Sequence, residues 1–224
     1  MRASPAFSPA VPSGPGTAAA SLELAGVGCA RGGQVLFDGV SFRLDAGQWL
    51  KVSGANGTGK TSLLRLVCGL LPAESGQVLW RGQALAGQGE RLGRERLYLG
   101  HAPAVKDDLT ALENLLAACD LAGDPVETDQ ALDALHQAGL RGQEHRPLRR
   151  LSQGQRRRCA LARLPLARHR PLWVLDEPFN ALDTPSCDWL SAQVRAHIEA
   201  GGLAILTSHQ PAALDALGYQ ELQL

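Results

Sequence analysis

The chain lacks long apolar runs, paired cysteines and net charge, and each absence argues against a class of protein. No apolar stretch approaches the ~20 residues that a helix needs to cross a bilayer, so we expect no membrane span. The five cysteines are scattered without a CxxC pair, which favours small buried thiols over a zinc site or a disulfide framework. Twenty-two basic residues balance 22 acidic ones, so bulk charge attracts neither nucleic acid nor anionic lipid.

The remaining composition is that of an ordinary globular protein. A chain of 224 residues with 45% hydrophobic and 20% charged residues can form one domain with a sizeable core. Residues 1–20 are rich in Pro, Ser, Ala and Gly and lack the continuous apolar core of a signal peptide. We therefore expect a disordered N-terminal extension over 1–20, a folded domain over 21–224 and a cytosolic protein.

The first part of the folded sequence has the pattern of strands followed by a helix. Residues 21–27 and 35–44 alternate in polarity, and Gly32-Gly33 between them predicts an antiparallel pair joined by a turn. Residues 49–53 form a short apolar strand that leads into a glycine-rich loop. Leucines at helical spacing follow that loop, so a helix begins there and ends near Gly69.

The second part predicts helices inserted into an α/β core. Leu and Ala recur at helical spacing in residues 101–150, which we interpret as a helical lobe with helices near 109–118 and 130–138. Apolar strands at 172–175 and 203–207 flank a helix near 186–200. This alternation predicts an α/β fold with a mostly parallel core sheet, an antiparallel β edge and the inserted lobe.

A phosphate-binding loop is the first functional motif. Residues 54–61 satisfy G-x-x-x-x-G-K-[ST], in which backbone N–H groups and the next helix's N-terminus surround phosphate oxygens. A flexible glycine-rich turn is the alternative, but the position between a strand and a helix favours nucleotide binding, with ATP as the ligand. The predicted nucleotide-binding residues of this motif are Gly54, Ala55, Asn56, Gly57, Thr58, Gly59, Lys60, Thr61 and Ser62.

Two carboxylates follow the apolar strand 172–175. Asp176 is predicted to act with Thr61 at a Mg²⁺ ion, Asp176 through the second coordination shell, and Glu177 is predicted to be the general base that polarises the attacking water. His209 follows the next apolar strand and is predicted to reach the γ-phosphate and hold Glu177 and water in line. The alternatives are a solvated strand end and a structural or exposed histidine.

A third motif points to one family of P-loop ATPases. Residues 151–155, Leu-Ser-Gln-Gly-Gln, resemble the LSGGQ signature of ABC ATPases, with Gln153 in place of the first glycine. The resemblance implies that Ser152, Gly154 and Gln155 of one subunit close on ATP held by a second copy, in a head-to-tail dimer. Residues 178–183 resemble the D-loop, which implies that Asp183 lies at the dimer seam. Arg156, Arg157 and Arg158 can alternatively form a solvated basic helix face.

A narrower resemblance is to the ATP-binding subunits of haem exporters, the CcmA family of cytochrome c maturation. Residues 98–101 and 109–115 carry it. His101 stands where most ABC ATPases have Gln, and it is expected near Mg²⁺ and water. Arg31 stands where an aromatic residue usually stacks on adenine, and its guanidinium plane can stack there instead. Ala102 replaces a Gln common in the group, and Pro165 should kink or end the signature helix.

The resemblance implies an ATPase at the cytoplasmic face of the bacterial inner membrane, bound peripherally to integral-membrane permease subunits. It implies no contact with the cargo and no nucleic-acid partner. The alternatives are a subunit of another small-molecule exporter and a soluble ABC ATPase acting on nucleic acid or ribosomes. The latter usually carries two ATPase domains, coiled-coil insertions or basic arms. A regulatory module without turnover is disfavoured by Glu177 and His209.

Overall fold

A computed structural model of the chain describes residues 20–86, 89–208, 214 and 218–224. The extension predicted for residues 1–20 lies outside this range except for Ala20. The strands are β1 (Ser21–Arg31), β2 (Gln34–Asp45), β3 (Trp49–Ser53), β4 (Ser75–Trp80), β5 (Gln83–Ala84), β6 (Arg96–Leu99), β7 (Leu172–Leu175), β8 (Leu203–Thr207) and β9 (Gln220–Gln223). The helices are α1 (Lys60–Val67), α2 (Gly89–Glu95), α3 (Ala111–Leu121), α4 (Thr128–Gln137), α5 (Gln153–Leu161) and α6 (Thr184–Glu199).

Five strands form the parallel sheet that carries the functional loops. Their order is β6-β7-β8-β3-β9, and every pairing between neighbours is parallel. All four residues of β7 and all five of β8 are buried, because helices and the second sheet cover both faces. The carboxyl ends of β3, β7 and β8 therefore lie side by side, and the predicted phosphate loop and carboxylates follow β3 and β7.

Four strands form a separate antiparallel sheet in the order β2-β1-β4-β5. The predicted pairing of the first two strands is confirmed, with Ser21 opposite Asp45 and Arg31 opposite Gln34. Gly32 and Gly33 both have positive φ, as the predicted tight turn requires. The predicted fold class is confirmed, and the antiparallel strands form a sheet of their own.

The two faces of the parallel sheet bury different clusters. One face packs with α1 against the antiparallel sheet around Leu22, Leu63 and Val174. The other packs against α6 around Trp173 and Leu190. Both clusters follow from strands in which successive side chains point to opposite faces. The site described below lies at the edge of these two cores.

The predicted helices of the 101–150 segment are α3 and α4. They pack against each other and against α5 through a third apolar cluster that includes Leu115, Leu135 and Leu148. Thr110 begins α3 with a capping box, in which its hydroxyl accepts from the Glu113 N–H while the Glu113 carboxylate accepts from the Thr110 N–H.

No helix among the described residues is long and apolar enough to cross a membrane.

Helix α5 ends four residues before Pro165, the residue predicted to kink or end it. The helix stops at Leu161, and the chain continues as a 3-10 turn over Pro165–Ala167. The Leu164 N–H donates to the Leu161 carbonyl, so the spacing has already tightened before the proline. The sequence did not predict β4, β5, β6, α2 or β9, which are short or lie at an exposed edge.

Candidate functional site

The phosphate loop connects β3 to α1, as the motif predicts. Gly54 has φ 146° and Gly59 has φ 103°, both in a region that L-residues with side chains rarely adopt. A Cβ on Gly54 would lie 2.6 Å from the Leu224 carbonyl oxygen, and one on Gly59 would lie 2.9 Å from Phe37. Both positions therefore require glycine. Gly59 leads directly into α1, so the helix N-terminus faces the loop.

The Lys60 side chain lies folded along the loop. Its Nζ donates to the carbonyl oxygens of Gly54 at 2.7 Å and Ala55 at 3.1 Å, and the residue is buried. Thr58 closes the loop through a hydroxyl bond of 3.0 Å to the Ala55 carbonyl. The ammonium group is thus held within the predicted phosphate loop.

Asp176 lies at the end of β7 with both carboxylate oxygens engaged. Thr61 Oγ1 donates to its Oδ2 at 2.8 Å, which joins the phosphate-loop helix to the acidic strand. Thr207 Oγ1, at the end of β8, donates to its Oδ1 at 2.8 Å. The residue is only 2% exposed. These bonds orient the carboxylate toward α1.

Glu177 has a backbone conformation that residues other than glycine rarely adopt. Its φ is 49°, in the left-handed region. Its N–H donates to Thr207 Oγ1 at 2.7 Å, and its carbonyl accepts from Arg157 Nη2 at 2.8 Å. Such conformations persist where surrounding bonds over-determine them, and they cluster at functional sites. The side chain reaches the wall of the cavity described next.

An open cavity of about 550 Å³ brings most of the predicted site together. It lies over the phosphate loop, between the end of β7 and the turn between β1 and β2. Its lining includes these predicted residues: Arg31, Asn56, Gly57, Gly59, Lys60, Thr61, Ser62, His101, Asp176 and Glu177. Leu36 and Asn180 also line it, and sequence reasoning missed both. Its volume falls within the usual range of small-molecule sites.

The residues resembling the ABC signature lie elsewhere. Ser152 caps α5 by accepting from the Gln155 N–H at 3.2 Å, and Gln155 Oε1 accepts from the Ser152 N–H at 2.9 Å. Gly154 lies against the D-loop of the same chain, where an added Cβ would be 2.6 Å from the Ala181 carbonyl oxygen. Neither Ser152, Gly154 nor Gln155 lines the cavity.

The predicted D-loop residue Asp183 does not line the cavity, and neither do Gly54, Ala55 and Thr58 of the phosphate loop. Asp183 caps α6, where its Oδ1 accepts from the Ser186 N–H at 3.1 Å. The hydrogen bonds from Ser186 hold the pKa of the Asp183 carboxyl below its usual value. Its place at a dimer seam stays a prediction. His209 lies outside the described residues.

Sequence reasoning missed two residues that organise the site. Thr207 is fully buried and bonds both Asp176 and Glu177. Arg157 is 5% exposed and bonds the backbone around both acids, so the solvated-face alternative is wrong for this arginine. Thr207 ends an apolar strand, and this pattern indicates that its side chain is buried. The run of three arginines does not indicate which of them is buried.

Comparison with known proteins decides which family this geometry belongs to. The ABC transporter family model matches residues 37–180, a range that contains the phosphate loop, the signature and the two acids. The cytochrome c biogenesis ATP-binding export protein CcmA of Dechloromonas aromatica is 48% identical over 203 residues, covering 91% of this chain and 99% of the relative. This chain belongs to the CcmA family of ABC transporter proteins. It is an ABC-type ATPase that binds ATP.

Further matches agree with this membership. The CcmA of Aromatoleum aromaticum is 51% identical over 191 residues, or 85% of this chain and 89% of that protein. Among solved structures, the ATP-binding cassette MJ0796, a dimer in a post-hydrolysis state with ADP and Pi, matches with a TM-score of 0.76. It is 21% identical and covers 91% of this chain and 94% of its own, so it shows the shared fold.

Proposed function

We propose that this CcmA-family chain powers an export complex of cytochrome c maturation, in which ATP hydrolysis drives haem delivery or the release of a haem-loaded chaperone. The observation that carries the proposal is near-full-length similarity to CcmA proteins, named for cytochrome c biogenesis and export, combined with a cavity that gathers the ATPase residues. A subunit of another small-molecule exporter would use the same cavity.

Within the cavity, the chain's own groups have separate roles. Lys60 and the loop N–H groups bind the β- and γ-phosphates. Glu177 accepts the proton of the water that attacks the γ-phosphate, and its strained backbone fixes the direction of its carboxylate. His101 faces the same cavity beside the water, and the Arg31 guanidinium stacks on the adenine ring. His209 is proposed to contact the γ-phosphate.

Thr61 and Asp176 fit a Mg²⁺ ion. Magnesium prefers oxygen ligands and keeps several waters, with one or two protein groups and substrate phosphates completing its shell. The Thr61 hydroxyl and the Asp176 carboxylate lie 2.8 Å apart at the cavity wall, and the described residues hold no group of three His, Cys, Asp or Glu that would bind a metal alone. When bound, Mg²⁺ would neutralise charge on the phosphates. Thr61 would be a direct ligand, and Asp176 would orient the Thr61 hydroxyl.

The catalytic assembly is proposed to be a head-to-tail dimer. Ser152, Gly154 and Gln155 open α5, and none of them lines the cavity of their own chain. A helix N-terminus of this kind stabilises anions, so a second copy can supply its signature to the γ-phosphate. Asp183 would then lie near the seam between copies. The dimeric state of the MJ0796 cassette supports this arrangement.

The membrane partner is proposed to be a permease that docks between the core and the helical lobe. A groove there is lined mostly by apolar residues, including Leu99, Ala102, Pro103, Val105 and Leu115. The loop that forms it begins at His101, which also faces the nucleotide cavity, so closure around ATP would move the groove. The chain would then lie peripherally at the cytoplasmic face of the inner membrane, without touching cargo or nucleic acid.

An affinity pull-down tests the proposed function. Tagged Glu177→Gln protein, which should remain in the ATP-bound state, is recovered from detergent-solubilised membranes with ATP present. Mass spectrometry and a haem absorbance scan are then applied to the eluate. We expect integral-membrane cytochrome-maturation subunits with bound haem. A different permease would retain the ATPase mechanism and contradict the haem assignment, and ribosomes or nucleic acid would contradict the transporter role.

A further inference from the structure

Arg157 differs from the two arginines beside it in α5. Arg156 and Arg158 are partly exposed, whereas Arg157 is 5% exposed. Burial lowers the pKa of Arg157, with Asp176 and Glu177 acting in the opposite direction. Removing a guanidinium from water is costly unless its N–H groups are fully hydrogen-bonded. A charged group at this position therefore needs a specific set of acceptors.

The acceptors are backbone carbonyls on the two loops that carry the reaction. Arg157 forms no ion pair with any carboxylate that the structure describes. Instead it donates five bonds: Nη2 to Asp176 at 2.7 Å and Glu177 at 2.8 Å, Nη1 to Gly100 at 2.9 Å and His101 at 3.2 Å, and Nε to Pro178 at 3.4 Å. One planar group thus holds the loop after β6 to the turn after β7.

The hydrogen bond from Arg157 to the Glu177 carbonyl lies beside a strained backbone conformation. Glu177 has φ 49°, a conformation that its own side chain disfavours. Its N–H is held by Thr207 at 2.7 Å, and its carbonyl is held by Arg157 at 2.8 Å. The Glu177 carbonyl also accepts from the Asn180 N–H at 3.2 Å. Loss of the shorter Arg157 bond weakens the hold on the peptide after Glu177, which can then rotate toward an ordinary conformation. That rotation would turn the Glu177 carboxylate away from its direction in the cavity.

We propose that Arg157 is a positioning residue for ATP hydrolysis, which sets the angle of Glu177 and the position of His101 by bonding their carbonyls from the signature helix. The inference rests on the proposed role of Glu177 as general base. Arg157 does not line the nucleotide cavity. Its removal should therefore change turnover and leave nucleotide binding nearly unchanged.

Arg170 provides a matched control at the other end of the sheet. It is also buried, at 3% exposure, and it donates to the carbonyls of Gly93, Arg96 and Ala122 and to the Asp124 carboxylate. It precedes β7, whereas the turn that Arg157 holds follows β7. Loss of Arg170 removes a comparable set of hydrogen bonds far from the site. The Arg170→Met variant therefore measures how much activity is lost when a buried arginine is removed and only the stability of the fold is affected.

The experiment compares steady-state ATP hydrolysis by the full-length chain with Arg157→Met, Arg157→Lys and Arg170→Met. We expect Arg157→Met to lower kcat by about 30-fold with KM for ATP within about threefold of wild type, because misplacing a reacting group by about an ångström has effects of this size. Lysine can donate to only some of the five carbonyls, so Arg157→Lys should retain an intermediate kcat. Arg170→Met should lower the melting temperature and keep kcat within about threefold.

Two outcomes of the comparison between single variants would overturn the inference. One is wild-type kcat in Arg157→Met, or in Arg157→Lys if the methionine variant does not fold. The other is an Arg157→Met loss that Arg170→Met reproduces. In a Glu177→Gln background we expect Arg157→Met to have less than about a threefold further effect, since it acts through Glu177. A further loss of about 30-fold in kcat would show that Arg157 does not act through Glu177. Wild-type activity of the Glu177→Gln protein would instead contradict the role of Glu177 as general base.

Discussion

Thr207 and Asp176 are joined by a buried hydrogen bond of 2.8 Å at the carboxyl edge of the parallel sheet. The same Thr207 oxygen accepts from the Glu177 N–H at 2.7 Å, so one hydroxyl fixes two consecutive acids. Thr61 binds the other oxygen of Asp176, also at 2.8 Å. The orientation of both acids therefore depends on the neighbouring strand and on α1, as well as on β7.

Thr207→Val should lower kcat by about tenfold or more while the fold is retained. Valine has nearly the same shape but leaves the Glu177 N–H without its acceptor, at a cost of about 1–3 kcal/mol in the free energy of unfolding. The measurements are ATPase kinetics and urea unfolding. Thr207→Ser keeps the hydroxyl and serves as the control, and equal activity of the Val and Ser variants would show that the bond is unimportant.

Glu177→Gln should slow hydrolysis by about a hundredfold or more, because an amide cannot accept the proton of the attacking water. ATP binding should persist, and the ATP-bound dimer should accumulate in size-exclusion chromatography. Glu113→Gln, on an exposed capping box remote from the cavity, is the control and should keep wild-type kcat. Normal turnover in Glu177→Gln would remove Glu177 from the role of base.

Lys60→Ala should weaken ATP binding by about tenfold or more, since the ammonium group is the loop's own positive charge at the phosphate position. Isothermal titration gives the dissociation constant directly. Lys51→Ala is a suitable control, because Lys51 lies on β3 beside Tyr219 and does not line the cavity. Equal affinity of the Lys60 variant and wild type is the result that would exclude the phosphate role.

His197 should make the stability of the fold depend on pH. It stacks on Trp173 with ring centroids 4.0 Å apart, and burial lowers its pKa from 6.5 to about 4. Because the folded pKa lies below the unfolded one, the unfolded chain binds the proton more readily. The contribution of neutral His197 to the free energy of unfolding is therefore fully present above pH 6.5. It is lost as the pH falls toward about 4, and the total loss is roughly 3 kcal/mol.

Urea unfolding between pH 7 and pH 5 measures this dependence. His197→Phe keeps an aromatic ring against Trp173 but has no titrating group, so its stability should vary less over that interval. A variant as sensitive to acid as the wild type would show that other groups cause the dependence.

Local motifs were predictable because their chemistry depends on adjacent residues. A phosphate loop must run from a strand through Gly54 and Gly59 into a helix, and all of these constraints are visible along the chain. Apolar strands such as β7 and β8 reveal their burial in the same way. The edge strand β9 was not predicted because it is mostly exposed and so has no apolar pattern in the sequence. It is defined by its pairing with β3, which only the tertiary structure shows.

The amino-acid sequence by itself determined the fold class, the phosphate loop, the acidic pair and the family, since each depends on residue type and short spacing. Tertiary structure alone decided that Arg157 is buried while Arg156 and Arg158 are not, because the rotation of α5 relative to the sheet selects which arginine points inward. It likewise placed Thr207 between Asp176 and Glu177. These contacts join elements far apart in the chain, and packing brings them within hydrogen-bond distance.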